Sequence, residues 1–152
     1  MSNKYPRLSA KETKNVMKKS NIKNRIKQVL KERAEVLFAY IHGSILYSDN
    51  PKDIDVAVFL NPKEYNKLAY EGEQTIGFAI PLEIEIEMHL NQKVDLQILN
   101  KAPLSFRHNV ITHGDVIIDK DSELRCDFEY LSRVEYFDFR PKRERYLREV
   151  MT

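Results

Sequence analysis

Apolar residues follow two rhythms along this chain. At helical spacing, Ile22, Ile26, Val29 and Leu30 form one stripe that runs to about Arg33. Upstream, Ser9-Ala10-Lys11-Glu12 satisfies a capping box and predicts a helix start near residue 10, with Ser20-Asn21 as a break between two helices. The second rhythm is the short unbroken run. Residues 36–41 end at Gly43 and residues 54–60 end at Asn61-Pro62, so each reads as a buried strand, and residues 94–99 are a third strand candidate. Between the last two, Ile76, Phe78, Ala79, Leu82, Ile86 and Leu90 predict a helix over 71–90, which Gly77 and Pro81 either bend or restart at the proline. Residues 103–113 predict a helix with Gly114 as its C-cap, 116–118 a short strand, and 122 onward a long helix interrupted at Pro141. No repeat or linker divides the chain, which reads as a single domain over 1–152 with a helical N-terminal segment (1–33) and a helical C-terminal segment (121–152).

Two charges break the apolar pattern of the second strand. Side chains alternate along a strand, so Asp53 and Asp55 point to one side while Ile54, Val56 and Val58 point to the other. At an effective dielectric of 20, like charges about 4 Å apart repel by roughly 4 kcal/mol, which calls for compensation. A divalent cation supplies it, and Mg²⁺ favours carboxylate oxygens together with waters and substrate phosphates. Asp95 is a third acid, isolated among Val94, Leu96 and Ile98 of the next strand. Ahead of these, Gly43-Ser44 leaves the first strand in a turn whose free N–H groups and hydroxyl suit a phosphate, with glycine permitting close backbone approach. A phosphate cradle with metal-binding acids is the equipment of phosphoryl or nucleotidyl transfer.

Composition narrows the setting. With 42% hydrophobic and 32% charged residues, 152 residues suit one globular domain. Residues 1–33 hold eleven Lys/Arg against two Glu, a surplus of +9, so the remainder carries −7 of the net +2. Direct nucleic-acid binding through that basic segment is therefore a secondary expectation, behind a plain solvated helix face. A lone Cys126 precludes an internal disulfide and reads as a small packing residue, and the lack of a leader or a long apolar run points to the cytoplasm and away from membranes. The four histidines, His42, His89, His108 and His113, lack metal-ligand spacing and receive no chemistry. Phe128, Tyr130, Tyr136, Phe137 and Phe139 exceed what docking one helix needs, which leaves some for a partner surface.

Gly-Ser followed by Asp-x-Asp on the next strand, with a later acid, resembles the polymerase-beta nucleotidyltransferase superfamily. Within it, "VDLQILNKAPLSFRHNVITHGDVIIDKD" and "RCDFEYLSRVEYFDFRPKRERYLREV" are similar to the minimal nucleotidyltransferase (MNT) antitoxins paired with HEPN-domain toxins. Two departures stand out: eight residues, 45–52, separate Gly-Ser from Asp-x-Asp where ten are usual, and Tyr47-Ser48 replaces the common Arg-Gly. The resemblance implies a mixed α/β fold, a small mixed sheet flanked by helices with a long C-terminal helix. It implies Mg²⁺-dependent transfer of AMP from ATP to a tyrosine of a cognate HEPN ribonuclease toxin. Asp53, Asp55 and Asp95 would then hold two Mg²⁺ ions, Asp95 would also take the tyrosine proton, and Gly43 and Ser44 would bind the triphosphate. Two alternatives remain: an antitoxin that only covers its toxin, and an adenylyltransferase acting on a small hydroxylated molecule.

Overall fold

The computed structural model describes residues 18–151, so the capping box at Ser9 and the helix start near residue 10 lie outside the described residues. Its first helix, α1 (Lys19–Lys31), runs through Ser20-Asn21 without a break. β1 (Val36–His42) follows, then a 3₁₀ turn (Gly43–Leu46), β2 (Ile54–Leu60) and α2 (Pro62–Glu71). A π-helical turn (Gln74–Ala79) leads into α3 (Ile80–Leu90), β3 (Val94–Ile98), α4 (Leu104–His113), β4 (Asp115–Asp119) and the long α5 (Ser122–Met151). The four strands form one mixed sheet in the order β3-β2-β1-β4, with β1 antiparallel to β2 and β4, and β2 parallel to β3. Among the described residues, no helix is long and apolar enough to cross a membrane.

Strand alternation sorts the core into two layers. Ala39, Ile41, Ile54, Val56, Val58 and Leu60 pack with Ile22, Ile26 and Leu30 of α1 and Leu82, Ile86 and Leu90 of α3. An Arg33–Glu85 ion pair ties the end of α1 to α3. On the opposite side, Phe38, Tyr40, Ala57 and Phe59 meet Val110 and Ile111 of α4 and Phe128 of α5. Phe38 and Phe59, neighbours across the strand pair, stack with centroids 4.6 Å apart, and Phe128 tilts over both. The Tyr40 hydroxyl donates to Glu129 of α5 at 2.6 Å, and Arg125 bridges Glu129 at 3.0 Å to Asp119 at 2.8 Å. Burial, reinforced by Glu129, keeps the Tyr40 proton well above the ordinary phenol range.

Several boundaries differ from expectation, each for a local reason. The predicted helix over 71–90 is a π-helical turn followed by α3, and Pro81 sits in the first turn of α3, where a missing N–H costs nothing. α2 was not foreseen. The Asn61 side chain accepts the Lys63 N–H at 2.9 Å and Pro62 occupies the first turn, so Asn61-Pro62 starts a helix as well as ending a strand. Gly114 is the C-cap of α4, as expected, its N–H donating to the Val110 carbonyl at 2.7 Å, but in extended geometry (φ −79°, ψ 164°) rather than a left-handed one. Its requirement is steric, since a Cβ there would stand 2.5 Å from the Val110 carbonyl and 3.2 Å from that of Ile41. α5 continues through Pro141 in its exposed second half. Cys126 is exposed on α5 rather than packed.

Because both contacts at Gly114 are with backbone, no side chain can yield to relieve them. Gly114→Ala is expected to destabilise the fold by about 2 kcal/mol, the usual range for overpacking, read as a lower urea midpoint at unchanged slope. A midpoint equal to that of the unsubstituted protein would show that the two chain segments can separate freely.

Candidate active site

The sheet carries His42, Asp55 and Asp95 to one end of the face that α4 and α5 share. His42 closes β1 directly opposite Asp55, and the parallel register makes Asp55 and Asp95 Cα partners on adjacent strands. Asp53 precedes β2 by one residue and shares the parity of Asp55. The expected grouping of Asp53, Asp55 and Asp95 is thus a neighbourhood created by strand pairing. Within it the side chains do not close on one point: among the described residues, no three His, Cys, Asp or Glu side chains form a coordination group as they stand. Asp95 is exposed and accepts a hydrogen bond from Gln97 Nε2 at 3.2 Å.

Charge nevertheless accumulates there. Burial, with the fields of Asp95 and then Asp53, raises the Asp55 pKa above its ordinary 3.8. Three hard oxygen donors whose mutual repulsion lifts a pKa fit Mg²⁺ by donor chemistry.

Gly43 supplies the steric half of the site. It begins the 3₁₀ turn at φ +79°, in the left-handed region, and an added Cβ would fall 2.1 Å from Asp55 Oδ2. The Asp55 carboxylate therefore occupies the space that any other residue at 43 would fill. Ser44 is exposed at the start of this turn, where helical geometry leaves the leading N–H groups without internal acceptors. The short connection to β2 is tied down at Pro51, whose carbonyl accepts Gln92 Nε2 at 2.7 Å ahead of β3.

One residue that the sequence reading left without chemistry belongs to this neighbourhood. His42 is 8% exposed, its ring meets Phe106 of α4 edge-on at 5.6 Å, and its Nε2 is buried without a hydrogen-bond partner. Burial lowers its pKa below 6.5 against the opposing pull of Asp95. Its parity with Phe38 and Tyr40 was the available signal, because every second residue of β1 faces the side that bears the acids. The other histidines lie elsewhere; His108 stacks on Tyr136 of α5 at 3.8 Å.

The family model for polymerase beta nucleotidyltransferases matches residues 24–123. A chain in the crystal structure of the toxin–antitoxin MntA-HepT is similar in fold at a TM-score of 0.64 and 18% identity, over 88% of this chain and 100% of that one. The structure of a tri-AMPylated Shewanella oneidensis HEPN toxin in complex with MNT antitoxin gives 0.65 at 22%, over 88% and 98%. A toxin–antitoxin crystal structure with AMP-PNP gives 0.65 at 21%, over 86% and 98%. At these identities the likeness is one of fold. Among proteins of curated function, none matches.

The raised Asp55 pKa has a definite sign. The folded state holds the Asp55 proton more tightly than the unfolded chain, so ionisation penalises folding once pH rises above 3.8, fully so above the folded value. In the absence of divalent cations, Asp55→Asn should therefore melt higher than the unsubstituted protein at pH 7, and the gain should vanish below pH 3.8. A lower melting point at pH 7 in EDTA would contradict this. Gly43→Ala should act in the opposite direction, lowering stability through both its φ and its contact with Asp55.

Proposed function

Since the chain belongs to the polymerase beta nucleotidyltransferase family, whose model spans residues 24–123, we propose that it is an antitoxin that silences a HEPN ribonuclease toxin by transferring AMP from ATP to a toxin tyrosine. The observation that carries this reading is the in-register pairing of Asp55 with Asp95, next to a Gly43 whose missing Cβ makes room for the Asp55 carboxylate. The toxin–antitoxin structures of similar fold, one with an AMPylated toxin and one with AMP-PNP, support the choice of nucleotide and acceptor.

The roles follow the order of the strands. Gly43 and Ser44, at the end of β1, bind the triphosphate through their backbone N–H groups and the Ser44 hydroxyl. Asp53, Asp55 and Asp95 are the residues that would hold two Mg²⁺ ions, which when bound neutralise charge on the attacking and leaving oxygens. A tyrosine hydroxyl has a pKa near 10 and needs help to lose its proton at neutral pH. The Asp95 carboxylate, exposed and at the edge of the sheet, accepts that proton as the tyrosine oxygen bonds to the α-phosphorus. The bond from the α-phosphorus to its bridging oxygen breaks, and pyrophosphate leaves on the Gly43 side.

A second reading, neutralisation by contact alone, draws on α5, where Tyr130 is 67% and Phe137 59% exposed. The two readings part at one residue. Asp95→Asn is nearly isosteric, so the variant should still co-purify with its toxin, yet the toxin should lack the mass of added AMP and regain ribonuclease activity once separated. An unmodified, fully active toxin released from the unsubstituted antitoxin would leave contact as the mechanism. Mg²⁺ or Mn²⁺ with ATP should also raise the melting temperature of the free antitoxin by linkage, and Asp53→Asn combined with Asp55→Asn should abolish the rise. An equal rise in the double variant would place the metal elsewhere.

A further inference from the structure

α3 caps the outer edge of β3 in a regular series that stops one step short. The Leu99 N–H reaches the Val58 carbonyl at 2.8 Å, so the N–H groups of Val94, Leu96 and Ile98 turn away from β2 toward the open edge. Glu87 accepts the Val94 N–H and Glu83 the Leu96 N–H, each at 2.9 Å. Four helical residues advance about 6 Å and two strand residues about 6.6 Å, so the two series keep step. The next pair is Ala79 with Ile98. Alanine has no acceptor, and among the described residues the Ile98 N–H has no partner. A cavity of about 570 Å³ opens at this step, bounded by Ala79, Glu83, Ile98, Phe106 and Asp95. Gln74 lines it as well, with a buried Oε1 that has no hydrogen-bond partner.

We propose that this gap in the capping series seats an extended peptide segment of the protein acceptor. One backbone carbonyl of the segment accepts the Ile98 N–H, one of its N–H groups donates to Gln74 Oε1 once that side chain turns its buried oxygen into the cavity, and its hydroxyl-bearing side chain lies beside Asp95. The proposal rests on the transferase reading and deepens it by saying how the acceptor is held. A free strand-edge donor and an orphaned amide acceptor match a peptide backbone, which recognises sheet edges in this way. Direction agrees: in-line displacement brings the entering oxygen in opposite the leaving one. With the leaving group beside β1, the acceptor arrives from the β3 side, where the cavity lies.

Three substitutions in the full-length chain test the seat against the cognate toxin. Ala79→Glu continues the capping series and fills the cavity, and because Ala79 also packs in the apolar core its result counts only with a cooperative melt, the other two variants carrying the test otherwise. Ile98→Pro deletes an N–H that the sheet does not use, as proline on an edge strand can. Gln74→Leu removes the orphaned oxygen and gives up no hydrogen bond described in the free protein. Each variant should keep a cooperative melt and the ATP-dependent shift in melting temperature, while kcat/KM for toxin modification falls about tenfold through KM. Folded variants that modify the toxin at the unsubstituted rate overturn the proposal. Loss of the ATP shift does so too, because the cavity would then belong to the nucleoside. Should the unsubstituted antitoxin modify no toxin at all, the transferase reading fails separately. Toxin affinity then decides the seat: about tenfold weaker binding by the variants upholds it, and unchanged binding removes it.

Discussion

Everything at this site depends on the parallel register between β2 and β3. A parallel pair cannot be joined by a hairpin, so the chain must cross over through α2, the π-helical turn and α3 before it returns as β3. That excursion brings α3 under the apolar side of the sheet and leaves the opposite side of the strand ends to the acids. A slip of one residue would turn Asp95 into the core and Leu96 toward Asp55, exchanging every inward and outward side chain of the strand. The Glu83 and Glu87 contacts with the β3 backbone oppose such a slip from the outer edge, as Val94 and Leu96 do from the core.

Most of the strand architecture was legible because alternation is a local property. The apolar runs at 36–41 and 54–60 show as short apolar stretches closed by Gly43 and Asn61-Pro62, and the parity of Asp53 with Asp55 needs nothing beyond period two. What stayed hidden depends on more than one segment at once. α2 buries Tyr65 alone of its ten residues, so it carries no apolar stripe to announce it, and its capping signal at Asn61-Pro62 also reads as a strand terminator. Gly114 is glycine because two carbonyls from different elements crowd it, a fact absent from the residues beside it. The gap at Ile98 is a relation between a helix and a strand, visible only once their series are aligned. Cys126 shows the reverse error, a residue assigned to the interior by its type although its place on α5 faces solvent.

The second core layer shows how the sheet fixes its last helix. Tyr40, Glu129, Arg125 and Asp119 form a chain of hydrogen bonds from the middle of β1 through α5 to the end of β4. Such groups gain little net stability when removed from water, since desolvation offsets their attraction. Their geometry is nevertheless selective. Only one rotation of α5 brings Glu129 to the Tyr40 hydroxyl while Phe128 covers Phe38 and Phe59, whereas an apolar contact alone would tolerate several.

That anchoring makes α5 a cantilever in mechanical terms. Thirty residues span about 45 Å at 1.5 Å each, yet the described contacts that clamp the helix to the sheet and α4 lie between Ser122 and Phe137, and residues 137–151 are exposed. Pro141 stands just past the clamp and deprives the rod of one internal hydrogen bond where bending stress is greatest. The moment that a load exerts on a beam grows with distance from the root, so a load at the far end acts on the clamp through the longest arm. A body that grips that end would exert leverage on Glu129 and, through the Tyr40 hydroxyl, on the strand that ends at His42 and Gly43.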